Sequence, residues 1–346
     1  MLIKTAAGRL LKLGACSAVA ACGALRLYRR FRPGKKLQIL MYHKITSGSD
    51  PLGLTISPDL FARQLQYLTE QYTVISLAEA VSRLESGAID RDFVVITFDD
   101  GYRDNYSVAY PILQRYKAPA TIFVTVDAVE SGTFGWHRFD SAILGTKRSE
   151  LDLSMSGLGR YDLTGRRKRE RAVVELHRAL KKLPDAKRQA VIAQVLAEHG
   201  DPGAVERSML CWDEVREMQG SGLVTIGAHT LSHPILTRIP HDSALAEIRD
   251  GKSRLEQETG APVEFFAYPN GSRDDFDEEI VAMVKACGYR AACSTISAEH
   301  FDKIDRFCLP RTDVTEGICS GFDGCFSRNL FSVKVSGMLD GILFRS

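Results

Sequence analysis

Apolar residues along this chain follow two periods, and the two alternate. Short β-branched runs closed by polar residues read as buried strands, whereas stretches whose apolar residues return every three to four positions read as amphipathic helices. The strand pattern covers 36–43, 72–75, 94–98, 120–126, 223–226, 263–268 and 289–295. Ser57-Pro58-Asp59 starts a helix with Phe61, Leu65 and Leu68 on one face, and Ser76 with Glu79 makes a capping-box pattern that opens another. Further helical patterns span 104–116, a segment opened by Cys211-Trp212-Asp213, 241–259 ended by Gly260, and 276–287. Strands recurring with helices between them, each running into polar residues at its C-terminal end, predict an α/β fold: a parallel (β/α) barrel, distorted or incomplete.

Three segments depart from this alternation. Residues 147–210 are rich in charge, with Arg166-Arg167-Lys168-Arg169-Glu170-Arg171 and a helical stretch from Val173 to His199, and predict an inserted helical subdomain with a solvated charged face. Residues 1–36 place an uncharged run, Leu13 to Leu25, between Lys4, Arg9 and Lys12 and a basic cluster from Arg26 to Lys36. That run falls short of the roughly 20 apolar residues of a spanning helix. Basic flanks on both sides predict association with an anionic membrane surface, on either face. A secretory leader and a disordered basic leader are the alternatives. The barrel domain is expected over 37–315, and the Gly-rich tail, 316–346, carries no assignment.

Composition changes this picture little. The length of 346 residues, 45% of them hydrophobic, suffices for a large core. A net charge of +2 argues against a nucleic-acid partner, which would need a strong basic field. Eight cysteines contain no CxxC pair, which excludes a zinc ribbon and a thioredoxin motif.

Chemistry concentrates at two strand ends. The run Val94-Val95-Ile96-Thr97-Phe98 ends in Asp99-Asp100-Gly101 and so delivers adjacent carboxylates to the C-terminal edge of the sheet, where α/β folds keep their sites. Taken alone, the two acids could equally cap the next helix. A second strand runs into His229-Thr230-Leu231-Ser232-His233-Pro234, and i, i+4 spacing puts both imidazoles on one face of a helical turn. Two histidines and a carboxylate leave coordination positions for water, which is the pattern of a catalytic metal site. The same donor set also describes the facial triad of Fe(II) oxygenases, which commonly sit on double-sheet β folds rather than alternating strands and helices.

Thr97-Phe98-Asp99-Asp100-Gly101 followed by His229-Thr230-Leu231-Ser232-His233-Pro234 resembles the first two motifs of the polysaccharide deacetylase family, the NodB-homology or carbohydrate esterase family 4 enzymes. The resemblance covers roughly 37–315 and implies a hydrolase that removes N-acetyl groups from N-acetylhexosamine residues of a bacterial exopolysaccharide or related glycan. It implies Asp99 as general base and Asp100, His229 and His233 as ligands of a divalent metal, zinc first, with cobalt or nickel as alternatives. Ala267-Tyr268-Pro269-Asn270-Gly271 matches the third motif loosely, and the Asn270 backbone N–H stands where that motif supplies an oxyanion contact.

The chain departs from the family pattern at three places. Ala267 stands where an arginine usually orients the base, and Asn270 where an aromatic is usual. Arg311, at the end of a later strand, is the expected substitute for that arginine. The late Leu-x-His motif that carries the general acid is missing. Met41-Tyr42-His43 resembles the Tyr-His arrangement of some exopolysaccharide deacetylases, so His43 is the expected acid. Tyr42, Trp136, Tyr268 and Pro269, at or near strand ends, are candidates for contact with the sugar; core packing is the alternative for Trp136. The competing readings of function are an O-acetyl esterase and a sugar-binding relative that kept the metal without turnover.

Overall fold

The computed structural model describes residues 36–48, 50–200, 207–297, 305–320 and 325–338, together with Gly14, Gly23, Ala24, Leu27 and Tyr28. The expected membrane-associating segment, 1–36, and the end of the tail thus lie largely outside the described residues. Among the described residues, no helix is long and apolar enough to cross a membrane.

The chain opens with β1 (Leu37–Tyr42), short strands β2 (Lys44–Ile45) and β3 (Thr55–Ile56), α1 (Pro58–Gln71), β4 (Thr73–Val74), α2 (Leu77–Ser86) and β5 (Phe93–Phe98). It continues through a π-helical turn, Asn105–Ala109, into α3 (Tyr110–Tyr116), then β6 (Ala120–Val124), α4 (Val126–Ser131) and α5 (Gly135–Gly145). A hairpin, β7 (Glu150–Leu153) and β8 (Gly159–Asp162), leads to α6 (Arg166–Leu180) and α7 (Asp185–His199). Then come α8 (Trp212–Gly220), β9 (Val224–Ala228), α9 (His241–Thr259), β10 (Phe265–Ala267), α10 (Glu278–Ala286), β11 (Ala291–Cys293), β12 (Thr312–Asp313), α11 (Glu316–Cys319) and α12 (Arg328–Ser336).

Local chemistry sets several of these boundaries. Ser57 and Ser76 accept hydrogen bonds from the amides of Leu60 and Glu79 and so cap α1 and α2, while Gly260 takes the left-handed conformation that ends α9. The helical stretch expected from Val173 to His199 is two helices: α6 begins earlier, at Arg166, and Pro184 stands at the cap that starts α7. The β7–β8 hairpin has no counterpart in the sequence reading. In the tail, α12 is buried along most of its length.

One sheet runs β11-β10-β9-β6-β5-β1-β12, all parallel, with β4 added against β5. Its two ends approach each other, because Leu309, just before β12, bridges Cys293 of β11 while Thr312 pairs with Leu40 of β1. The architecture is therefore the distorted, incomplete parallel barrel with surrounding helices. Strand alternation divides its side chains into two sets. Leu40, Ile96, Phe98, Ile122, Ile226 and Phe266 meet Phe61 and Leu65 of α1, Leu113, Ile248 and Ile280 in the layer under the helices. Ile39, Phe93, Val95, Phe123, Phe265, Cys293 and Leu309 meet one another on the opposite, inner face. Gly227 belongs to the inner set, and a Cβ there would stand 2.5 Å from the Phe123 ring, so only glycine lets these strands close up. A separate apolar cluster joins Phe139 of α5 to Leu151, Val173, Leu176, Leu180 and Val195 of the insertion.

Candidate active site

Extending the inner-face parity of β5 past Val95 and Thr97 puts Asp99 inside the barrel mouth, and extending that of β9 past Gly227 does the same for His229. Arg311, two residues past inner-facing Leu309, enters from the strand that closes the ring. There its guanidinium meets Asp99 in a two-pronged pair, Nη1–Oδ1 2.6 Å and Nη2–Oδ2 2.6 Å. Two further donors are placed: Nε donates to the Ser294 carbonyl at 2.8 Å and Nη1 to Thr97 Oγ1 at 3.2 Å. Both partners are buried, and such planar pairing is specific to arginine. Burial pushes the Asp99 carboxyl up, but Arg311 and then His229 outweigh it and hold it below the usual carboxylate range.

Asp100 turns away from its neighbour through a left-handed backbone, φ 75°. Its Oδ1 lies 3.5 Å from His229 Nε2 and 3.4 Å from His233 Nε2. His229 and His233 do not share a helical turn as their spacing suggested. His229 follows β9 directly, and His233 lies in an irregular loop with φ 64°. That loop is shaped from α9, whose Glu247 accepts from the amides of Leu231 and Ser232 at 2.9 and 2.8 Å and from Ser232 Oγ at 2.6 Å. Thr230 and Asn270 are also left-handed, so four of the five non-glycine residues with positive φ among the described residues crowd this rim. Such backbone conformations persist only where surrounding contacts enforce them.

The donor set suits a divalent cation. The ligand atoms of Asp100, His229 and His233 all lie within 4.8 Å of one another. His229 Nδ1 is 2.8 Å from the Ala267 carbonyl, which can only accept, so the proton sits on Nδ1 and Nε2 keeps its lone pair for a metal. His233 is pushed down to about 3 by burial and then by His229, which keeps its imidazole neutral as a ligand must be.

A cavity of about 250 Å³ opens over these groups, lined by Asp99, Asp100, His229, His233, His43 and Asn270. His43 is half-buried, one residue past β1, with its carbonyl held by Asn105 Nδ2 at 2.8 Å. Trp136, at the start of α5, also reaches this wall. Three other candidates do not. Tyr42 and Tyr268 carry the parity of the helix-facing set and are 0% exposed: Tyr42 packs on Phe61 and Phe98 with its hydroxyl on Gln64, and Tyr268 stacks on Phe276 with its hydroxyl on the Phe307 carbonyl. Pro269 is buried beside Tyr268 and is likewise absent from the cavity wall. These three are core residues, not sugar contacts.

The cavity also holds Tyr102, His137, Asp140, His177, Lys181 and Asp313, which sequence reasoning missed. Tyr102 follows the Asp-Asp-Gly turn by one residue, the one signal that could have found it. Burial and then the adjacent Asp100, to which it is hydrogen-bonded, push its phenol well above the ordinary value. His137 bonds Tyr102 through Nε2 at 3.3 Å and Ser208 through Nδ1 at 3.1 Å, and burial followed by the Lys44 charge lowers it to about 4.

Comparison with known proteins agrees with this architecture. The polysaccharide deacetylase family profile matches residues 86–292. The polysaccharide deacetylase-family protein YxkH of Bacillus subtilis (strain 168) is 41% identical over 91 residues, which are 26% of this chain and 32% of that relative. The poly-beta-1,6-N-acetyl-D-glucosamine N-deacetylase of Staphylococcus aureus (strain MSSA476) is 26% identical over 136 residues, 39% of this chain and 45% of the relative. The matched stretch thus spans under half the length of these curated relatives. The structure of the Streptococcus pyogenes deacetylase PplD in complex with acetate shares the fold, with a TM-score of 0.55 at 21% identity over 83% of this chain and 95% of that one. With its profile match spanning more than half of the sequence, the chain belongs to the polysaccharide deacetylase family.

Proposed function

We propose that this protein is a metal-dependent hydrolase that removes N-acetyl groups from N-acetylhexosamine residues of a bacterial exopolysaccharide or related glycan. The observation that carries this reading is a carboxylate locked by an arginine, Asp99 on Arg311, immediately beside the Asp100, His229 and His233 cluster. A divalent cation, zinc before cobalt or nickel, would be held by Asp100 and the two histidine Nε2 atoms, and would supply Lewis-acid polarisation of the acyl carbonyl and acidify water. Asp99, kept ionised and oriented by Arg311, takes the proton from the attacking water. The Asn270 N–H, on the cavity wall, would stabilise the oxygen that becomes negative as the carbon turns tetrahedral. His43 hands a proton to the amine as the C–N bond breaks. Retention of the base beside a ligand favours turnover over mere sugar binding.

Acetate release from N- and O-acetylated glycans, measured before and after chelation and again with zinc, cobalt or nickel restored, tests the reading. Chelator-sensitive release from N-acetylated glycans is expected. Release from O-acetyl esters alone would make the protein an esterase, and no release from any substrate would leave a binding protein. Membrane association belongs to the same proposal, resting on the basic-flanked apolar run of residues 1–36. Deleting residues 1–34 should shift the protein to the soluble fraction with hydrolysis intact; a soluble full-length protein would refute that part.

A further inference from the structure

His177 of the insertion and Asp140 of α5, just before it, make a largely buried polar pair for which the fold has no use. On α6, Val173, Leu176 and Leu180 face inward among the apolar side chains of the insertion, and His177 shares that face at four residues from Val173 and three from Leu180. A leucine would serve packing better there. Instead the imidazole, 7% exposed, approaches Asp140 of α5, Nε2 to Oδ1 at 2.6 Å, and stacks on Trp136 with ring centres 4.4 Å apart. Burying such a pair costs solvation that its single mutual hydrogen bond offsets only in part.

Both groups line the same cavity as Asp99, Asp100, His229 and His233, and Lys181, one helical turn after His177, lines it too. Neither Asp140 Oδ2 nor His177 Nδ1 has a hydrogen-bond partner among the described residues. A carboxylate oxygen with spare capacity, an imidazole and an ammonium thus face the candidate catalytic groups across one small space. We propose that Asp140 and His177, with Lys181 at the rim, are substrate-positioning residues that hydrogen-bond the ring hydroxyls of the hexosamine whose acetamide meets Asp99. This rests on the deacetylase reading for the identity of the sugar. It makes the insertion the specificity wall of the site, because a polar site built for hydroxyls rejects an acyl compound that lacks them.

The test uses the full chain with its metal restored, an N-acetylhexosamine oligomer as probe, and the variants Asp140→Ala and His177→Leu. Oligomer binding is followed by calorimetry, and turnover by acetate release. Loss of one hydrogen bond to a charged group should raise KM and weaken binding about 10- to 100-fold, while kcat, bound metal and Tm stay near those of the parent. His177→Leu is the sharper variant, since leucine suits the surrounding apolar cluster: a structural histidine would tolerate it with binding intact. Parental binding and KM in both variants would overturn the proposal, as would losses of metal and kcat in step with KM. If the parent binds the oligomer through Asp140 yet releases no acetate, the positioning role stands and the hydrolase reading falls. If the parent hydrolyses and the variants match it, only the positioning role falls. A parent that neither binds nor hydrolyses any such oligomer sinks both.

Discussion

The two walls of the cavity are built on opposite terms. On the barrel side, Asp99 and Arg311 meet in a two-pronged pair, and two further guanidinium donors go to Ser294 and Thr97. On the insertion side, Asp140 and His177 share one hydrogen bond and keep capacity to spare. A saturated network is rigid and dear to break, whereas an unsaturated one is available to a ligand. The contrast suggests where the reacting groups are fixed and where a substrate is read.

Breaking the barrel wall should have the largest effect. Arg311→Ala leaves Asp99 buried without its partner and is expected to destabilise the fold by about 3–5 kcal/mol, read as a fall in the urea midpoint. A parental midpoint would show that the pair does not hold the barrel mouth. The two aspartates come next, and they should separate. Asp99→Asn should retain bound metal while losing roughly 100-fold or more in turnover, whereas Asp100→Asn should lose metal and turnover together. Metal analysis reversed between the two variants would exchange their roles.

His43→Ala stands lower, because its side chain makes no hydrogen bond to Asp99, Arg311 or Asp100 and acts on them only through its charge. A drop of about 100-fold in kcat with metal content unchanged is expected if it is the acid; unchanged kcat in a stable variant removes it from the mechanism. The smallest effect concerns pH. His137 is depressed to about 4 from an ordinary 6.5, so the folded state takes its proton only below the unfolded value. Its contribution to stability is therefore complete above pH 6.5 and is lost as pH falls towards 4. His137→Asn should flatten the Tm profile in that window, and an identical slope in parent and variant would count against the assignment.

How much of this was legible without coordinates follows from the range of each interaction. The strands and their polar ends could be read because β-branched runs and turn residues act on their immediate neighbours. The Asp-Asp-Gly turn and the histidine loop were visible for the same reason. The geometry of that loop was not, since Glu247, fourteen residues beyond His233, shapes it from another helix. Tyr42 and Tyr268 were misread because position at a strand end does not say which face a side chain takes, and their parity with Leu40 and Phe266 sends them under the helices.

By itself the sequence determined which chemical groups stand at which strand ends and that the strands alternate with helices, because periodicity and turn chemistry are local. Tertiary structure alone decided their company. Arg311 reaches Asp99 across 212 residues because β12 closes the ring beside β1, and His177 reaches Asp140 and the cavity because the insertion packs against α5. Neither meeting has a local signature. Both depend on where strands pair and where a separate apolar cluster packs, which is a property of the folded chain as a whole.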